Sequence, residues 1–265
     1  MYLFAGGDRR SYWAVRFLRD RGLPLQTYGV PGLEDGSIPE KLSILMLPFP
    51  IPPSMEALHR LSPAIKEGTL VFGGKFGPHR DLLEKAGAKV IDLYNTEPLT
   101  TLNAAATAEG AIRLLIGSAE ITLSGSRCLV IGTGRIGMLL GEKLHALGAE
   151  VTLSARSEKD RAMICARNLR AEETGVYAKG LETYDFVINT VPAAVLSRAQ
   201  LARLRKDCVL LELASSPGGF SREDCKDLGL NPLHGPGLPG QFFPKTAGIL
   251  YGESLLHAMK KEGIL

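Results

Sequence analysis

The 265-residue sequence has no long apolar run, no closely spaced pair of cysteines and almost no excess of one charge. A bilayer-spanning helix needs about 20 consecutive apolar residues, and none is present. The amino terminus, MYLFAGGDRR, shows no basic stretch leading into an apolar one, so neither an anchor nor a secretory leader is expected and the expected location is cytoplasmic. Lys and Arg number 31 against 28 Asp and Glu, a formal net charge of +3. They are interspersed without a basic run, which argues against nucleic acid and anionic membrane as partners. Lys260, Lys261 and Glu262 read as a solvated helix end. The four cysteines, Cys128, Cys165, Cys208 and Cys225, form no CxxC or zinc spacing and read as reduced core thiols. No His/Cys/Asp/Glu set has metal-ligand spacing, so no metal is expected. The absence of GxSxG and of a carboxylate pair points away from hydrolysis.

What is present is ordinary soluble composition, 45% hydrophobic and 22% charged, and one glycine motif. In RCLVIGTGRIG (127–137) an apolar run turns at Gly132, Gly134 and Gly137 and enters a helical pattern. Gly132 permits a tight turn, Gly134 lets backbone approach a pyrophosphate, and Gly137 lets the helix pack on the strand. GxGxxG alone arises often by chance, but its surroundings agree. Met138, Leu139, Leu140, Leu144 and Leu147 keep helical spacing up to Gly148, and a second strand is expected over 150–153. Thr133, Arg135 and Ile136 complete the expected cradle for a nicotinamide or flavin nucleotide.

An Asp or Glu about 20 residues on marks NAD sites by bonding the ribose 2′-hydroxyl. Here the sequence reads Ser154, Ala155, Arg156, Ser157. A guanidinium beside hydroxyls suits a 2′-phosphate, so NADP is the expected cofactor.

Strands are expected over 2–5, 25–30, 43–47, 70–72 and 89–93, with a helix capped by Asp8 after the first. The alanine-rich segment 100–119 reads as a helix leading into the nucleotide-binding strand. Later strands are expected at 186–189, 209–213 and near 232–234. The pattern gives an α/β chain of two Rossmann-like parallel-sheet domains. The first is expected over 1–99, joined by a C-terminal helix at 245–265. The second, the dinucleotide-binding domain, is expected over 100–244. Ligands in such sheets lie beyond the carboxyl ends of the strands, where Asn189, Thr190, Val191 and Pro192 join the cofactor set. The segment 236–248, PGLPGQFFPKTAG, reads as a stiff loop before the final helix.

Taken together, AGGDRR (5–10), NAAATAEG (103–110), VIGTGRIGM (130–138), ALGAEVTLSARS (146–157), VINTVP (187–192), ELASSPGG (212–219) and PGLPGQFFPKTAG resemble the A subunits of dipicolinate synthases along nearly the whole chain. Glu212 stands where that family more usually has Asp, and Ala106 where it often has a proline opening the helix. The latter implies that Thr107 and Glu109 lie in the helix's first turn. The stretch 20–103 is only loosely similar. The resemblance implies oxidation of dihydrodipicolinate, or of its hydrated precursor, to dipicolinate with NADP as hydride acceptor. It also implies a partner of the flavoprotein-like B subunit type and the mother-cell cytoplasm of a spore former as the setting.

A substrate with two carboxylates needs cationic or N–H-rich partners. Lys245 and Thr246 are the first candidates for one carboxylate, and Asn103 and Thr107 for the other or for the nicotinamide amide. Asp8, with Gly6 and Gly7, ends the first strand and is a further substrate candidate. His234 is the candidate proton carrier and Glu109 a candidate base, with Lys245 also a candidate catalytic cation. Two alternatives stand beside this reading: an NADP-dependent dehydrogenase of another small hydroxy or amino acid, and a non-catalytic NADP(H)-binding subunit. Self-association into a homo-oligomer is possible on this reading.

Overall fold

A computed structural model describes residues 1–52, 54–178 and 180–265. The chain divides into two compact units, Met1–Asn103 with Pro239–Leu265, and Ala104–Leu238. Compared with the sequence boundaries, the first break falls four residues later, inside a helix, and the second six residues earlier, at the start of the proline-rich tail.

In the first unit the strands β1 (Tyr2–Ala5), β2 (Leu25–Tyr28), β3 (Ile44–Met46), β4 (Leu70–Gly73) and β5 (Lys89–Asp92) form one parallel sheet in the order β2-β1-β3-β4-β5. Alternation along β1 divides the core. Phe4 belongs to the cluster containing Ala14, Leu18, Tyr251 and Leu255, whereas Leu3 and Ala5 belong to that containing Leu58, Leu61 and Leu83. Burying Phe4 completely contributes about 2 kcal/mol. Helix α1 (Arg9–Arg19) starts at Asp8, whose carboxylate caps the Arg10 N–H at 2.8 Å. Helices α2 (Glu56–Leu61) and α3 (His79–Lys85) follow.

Helix α4 (Leu99–Ser118) opens just after Pro98, with the Glu97 carboxylate accepting from Thr100 Oγ1 (2.7 Å) and the Thr101 N–H (3.3 Å). The helix therefore begins seven residues ahead of Ala106. Thr107 and Glu109 sit in its middle, not in the first turn expected from the missing proline.

The second unit holds β6 (Arg127–Ile131), α5 (Arg135–Ala146), β7 (Glu150–Ala155), α6 (Glu158–Cys165), β8 (Arg170–Glu173), β9 (Phe186–Asn189), α7 (Arg198–Leu201), β10 (Val209–Glu212), α8 (Arg222–Asp227) and β11 (Leu233–His234). Its six parallel strands run in the order β11-β10-β9-β6-β7-β8. Strands after β6 add on one side and those from β9 onward on the other, so the order reverses between β6 and β9. Ligand crevices form beyond the strand ends at such a reversal. Strand β8 is an addition to the strands expected from sequence, since its residues RAEE carry no apolar alternation.

The expected stiff loop over 236–248 is largely helical. A short helix α9 (Leu238–Phe242) is followed by α10 (Pro244–Lys261), which starts with proline in its first turn, a position where the missing N–H costs nothing. Helix α10 packs on α1, and the Tyr251 hydroxyl donates to the Leu47 carbonyl at 2.5 Å. Of the four cysteines, none of them disulfide-bonded, Cys128 and Cys225 are buried and Cys208 packs half-buried against the cluster that holds Cys225, so only the exposed Cys165 departs from the expected core thiols. No described helix is long and apolar enough to cross a membrane.

The α1–α10 contact leaves no room for a side chain at Gly248, where an added Cβ would lie against the Arg10 carbonyl and 2.6 Å from Trp13 Cβ. Gly248→Val is expected to destabilise the protein by about 3 kcal/mol through overpacking against backbone. The shift of the urea midpoint at constant slope measures this.

Candidate functional site

Where β6 ends, Gly132 adopts φ +105° and its N–H donates to the Ser154 carbonyl at 3.1 Å. An added Cβ there would lie 2.5 Å from Thr190 Oγ1 and 2.7 Å from Val191 Cγ2, and one at Gly137 would collide with the Gly132 carbonyl. Gly134, the N-cap of α5, has nothing within 4 Å of such an atom and faces open space. The opening turn of α5 lies beside this space, and the N–H groups of a helix's first turn point out of its end. The helix dipole adds its positive end. Thr133 is half-buried beside them. A pyrophosphate fits this cradle: space lies where the anion would lie, and glycine stands where the walls touch.

At the end of β7 only part of the expected set reaches the surface. Ser154 is wholly buried, its hydroxyl accepting from Thr174 Oγ1 at 3.1 Å, and Ala155 is also buried. The Ser157 hydroxyl caps α6, accepting from the Asp160 N–H at 3.0 Å and donating to the Asp160 carboxylate at 2.7 Å. Arg156 alone presents an exposed polar side chain not spent on a local cap. A carboxylate adjoins this strand end from the neighbouring strand. Glu172 on β8 lies in register beside Ser154, is 7% exposed, and neither of its oxygens has a hydrogen-bond partner among the described residues. Its neighbour Glu173 faces Arg161 at 3.8 Å.

On the other side of the reversal, Asn189 and Glu212 end β9 and β10 side by side. Asn189 is fully buried. Its amide donates to Glu212 Oε1 (2.7 Å) and to the Val191 carbonyl (2.9 Å), and its oxygen accepts from the Val191 N–H (3.0 Å). Glu212 also accepts from the N–H groups of Ala214 (2.9 Å) and Gly219 (2.7 Å). Asn189, expected as a cofactor contact, thus spends its amide on Glu212 and on the Val191 backbone at the end of β9. Thr190 Oγ1 likewise donates inward, to the Ile131 carbonyl at 2.8 Å, leaving Val191 half-buried and Pro192 exposed at the rim. No local motif in the sequence marks Glu212 as the carboxylate that meets both of these loops.

The loop held by Glu212 walls a cavity of about 440 Å³ beyond the ends of β10 and β11, with Ser215, Ser216, Arg222 and His234 on its lining. The His234 ring lies 3.4 Å from Arg222 Nη2. Burial first, and then the Arg222 charge, hold the imidazole below its ordinary value, with Glu212 opposing.

The remaining candidates fall elsewhere. Lys245 lies in the first turn of α10 with Nζ 5.0 Å from the Trp13 ring, a cation–π contact, and Thr246 is exposed beside it. Asp8 is committed to its cap and to Arg10, whose guanidinium it meets at 2.7 Å. Burial raises its carboxyl, but the hydrogen bonds and charge of Arg10 outweigh this and hold it below the usual carboxylate range. Glu109, the candidate base, forms an exposed ion pair with Lys143 at 2.9 Å. Asn103 and Thr107 are one turn apart on α4, Thr107 buried. No metal-holding group of three occurs among the described residues.

A glycine-lined cradle at the order reversal of one parallel sheet, joined in one chain to a second parallel-sheet unit, defines a dinucleotide-binding protein of the two-domain α/β class. Residues 108–217 match the family described as D-isomer specific 2-hydroxyacid dehydrogenase, NAD binding domain. The chain is related to the A subunit of dipicolinate synthase: it is 34% identical to that protein from Bacillus subtilis over 180 residues, 68% of this chain and 61% of the relative. The match thus spans about three fifths of the curated relative's length. The solved dipicolinate synthase A chain of Bacillus subtilis aligns at TM-score 0.84 and 27% identity over 98% of this chain and 97% of that one. Its counterpart from Bacillus halodurans aligns at TM-score 0.85 and 24% identity over 97% of each chain.

Glu212→Gln places an amide N–H₂ against at least one of three N–H donors. A loss of about 2 kcal/mol is expected for the buried clash, read from denaturant unfolding. Removing the charge that lifts His234 is also expected to move its NMR titration midpoint further down.

Proposed function

We propose that this chain oxidises dihydrodipicolinate to dipicolinate with NADP as hydride acceptor during sporulation, together with a flavoprotein-like B subunit. The observation that carries this reading is the pairing, on one sheet edge of the second unit, of the phosphate cradle with the Glu212-walled cavity. The relative's name supplies the substrate. In this reading the first turn of α5 holds the pyrophosphate, Arg156 pairs with the 2′-phosphate, and Val191 and Pro192 rim the nicotinamide end. The dinucleotide supplies hydride acceptance when bound. Forming an aromatic pyridine makes the oxidation downhill, so the chain's residues need chiefly to fix the ring, exclude water and receive one proton. Lys245 and Thr246, at the start of α10, are the proposed hold for a substrate carboxylate in the first unit.

The match to the 2-hydroxyacid dehydrogenase domain favours a second reading, oxidation of a small hydroxy acid. One assay separates the two. With NADP⁺ and dihydrodipicolinate, with and without the B-type partner, pyridine absorbance is expected to rise. No rise, alongside turnover of a 2-hydroxy acid, overturns the proposal. In the same assay Arg156→Ala is expected to weaken NADP⁺ about ten- to hundredfold while leaving NAD⁺ nearly unchanged, and equal weakening of both contradicts the NADP assignment.

A further inference from the structure

The arginines of the second unit differ in their partners. Arg161, Arg167, Arg170, Arg198, Arg203 and Arg205 each face a carboxylate, at 2.7 to 3.8 Å. Arg222 faces an imidazole instead, and its side chain forms no ion pair among the described residues. A guanidinium has only donors. The His234 nitrogen in front of it, Nδ1, therefore carries the lone pair, and the ring proton of the neutral imidazole resides on Nε2.

Both side chains line the 440 Å³ cavity with Ser215 and Ser216. Glu212 shares the wall, but Asn189, Ala214 and Gly219 already donate to its oxygens. The cavity is thus lined by one guanidinium held by a weak neutral acceptor, by an imidazole and by two serines, while the carboxylate on its wall is spent on the loop. That donor set suits a carboxylate, which a guanidinium binds in two parallel hydrogen bonds.

We infer that Arg222 takes a substrate carboxylate into this cavity, with Ser215 and Ser216 donating to it, and that seating this group frees His234 to accept the proton released by the oxidation. The inference rests on the oxidoreductase reading above. A bound carboxylate draws the guanidinium donors away from Nδ1 and cancels the positive charge beside the ring. Arg222 from α8 and Glu212 from β10 are the charged groups acting on His234, so with Arg222 neutralised Glu212 favours the imidazolium. In the oxidation a ring C–H bond breaks and its electron pair leaves as hydride to the nicotinamide dinucleotide. The ring N–H bond breaks, its electrons remain in the pyridine, and the proton passes to His234 Nδ1. Departure of the product restores the Arg222 contact and expels the proton to solvent.

The test uses the full-length protein with ¹⁵N-labelled histidine and pyridine-2,6-dicarboxylate as probe, in the presence of NADP⁺. The His234 midpoint is expected to move up when the probe saturates. In Arg222→Gln the probe should bind about ten- to hundredfold more weakly. The His234 midpoint there should already be raised and no longer respond to the probe. Arg222→Lys, which keeps the charge without the planar fork, should retain part of the response, and unchanged circular dichroism establishes that both variants fold. Wild-type affinity in Arg222→Gln, or a His234 midpoint indifferent to the probe in the wild type, overturns the inference. If lactate elicits the Arg222-dependent response and pyridine-2,6-dicarboxylate does not, the carboxylate hold stands and the dipicolinate reading falls.

Discussion

The site depends on how closely the start of α5 approaches β6. Gly132 turns the chain with φ +105° and Gly137 brings the helix against the Gly132 carbonyl, so the first-turn N–H groups converge on the space in front of Gly134. Any side chain at 132 or 137 would push the helix off the strand. Recognition of a pyrophosphate at such a turn is a backbone property, and the side chains that matter for it are the absent ones.

The second constraint is electrostatic. Glu212 is a buried carboxylate whose donors come from two loops, one following β9 through Asn189 and one following β10 through Ala214 and Gly219. Charge-assisted bonds of this kind are about twice as strong as neutral ones, and leaving any of the donors unmet in a buried setting is costly. The two loops are thereby fixed together at the edge where the sheet order reverses. With Glu212 committed to backbone, the cavity in front of it is left to the positive and hydroxyl-bearing groups. The same economy explains Asp8, which caps α1 and neutralises Arg10, and Glu109, which meets Lys143.

Much of the fold was legible because parallel strands buried on both faces appear as short continuous apolar runs; LVI at 129–131 and FVIN at 186–189 are of this type. Strand β8 was not, since an edge strand reading RAEE has neither the run nor the alternation. Helix α9 was hidden because LPGQF carries proline and glycine, and only its position after a turn makes them tolerable. In the site, the glycine spacing was readable because each glycine answers a local steric demand. The roles of Ser154, Asn189, Glu172 and Arg222 were not. The first two are read as surface groups from the sequence, yet register turns them inward. Glu172 reaches the end of β7 only through sheet pairing, and Arg222 meets His234 across twelve residues and two elements. Long-range partners of this kind leave no periodic trace in a sequence.

The central claim is that the Gly132 to Gly137 turn holds the pyrophosphate of a nicotinamide dinucleotide. Calorimetric titration of NADP⁺ into the wild type and into Gly134→Leu tests it most directly, because position 134 has room for the added side chain only while that space is empty. The account predicts a saturable heat in the wild type and its loss in a variant whose unfolding midpoint is nearly unchanged. Equal binding by both proteins, or no heat from a well-folded wild type with either the oxidised or the reduced coenzyme, would contradict it.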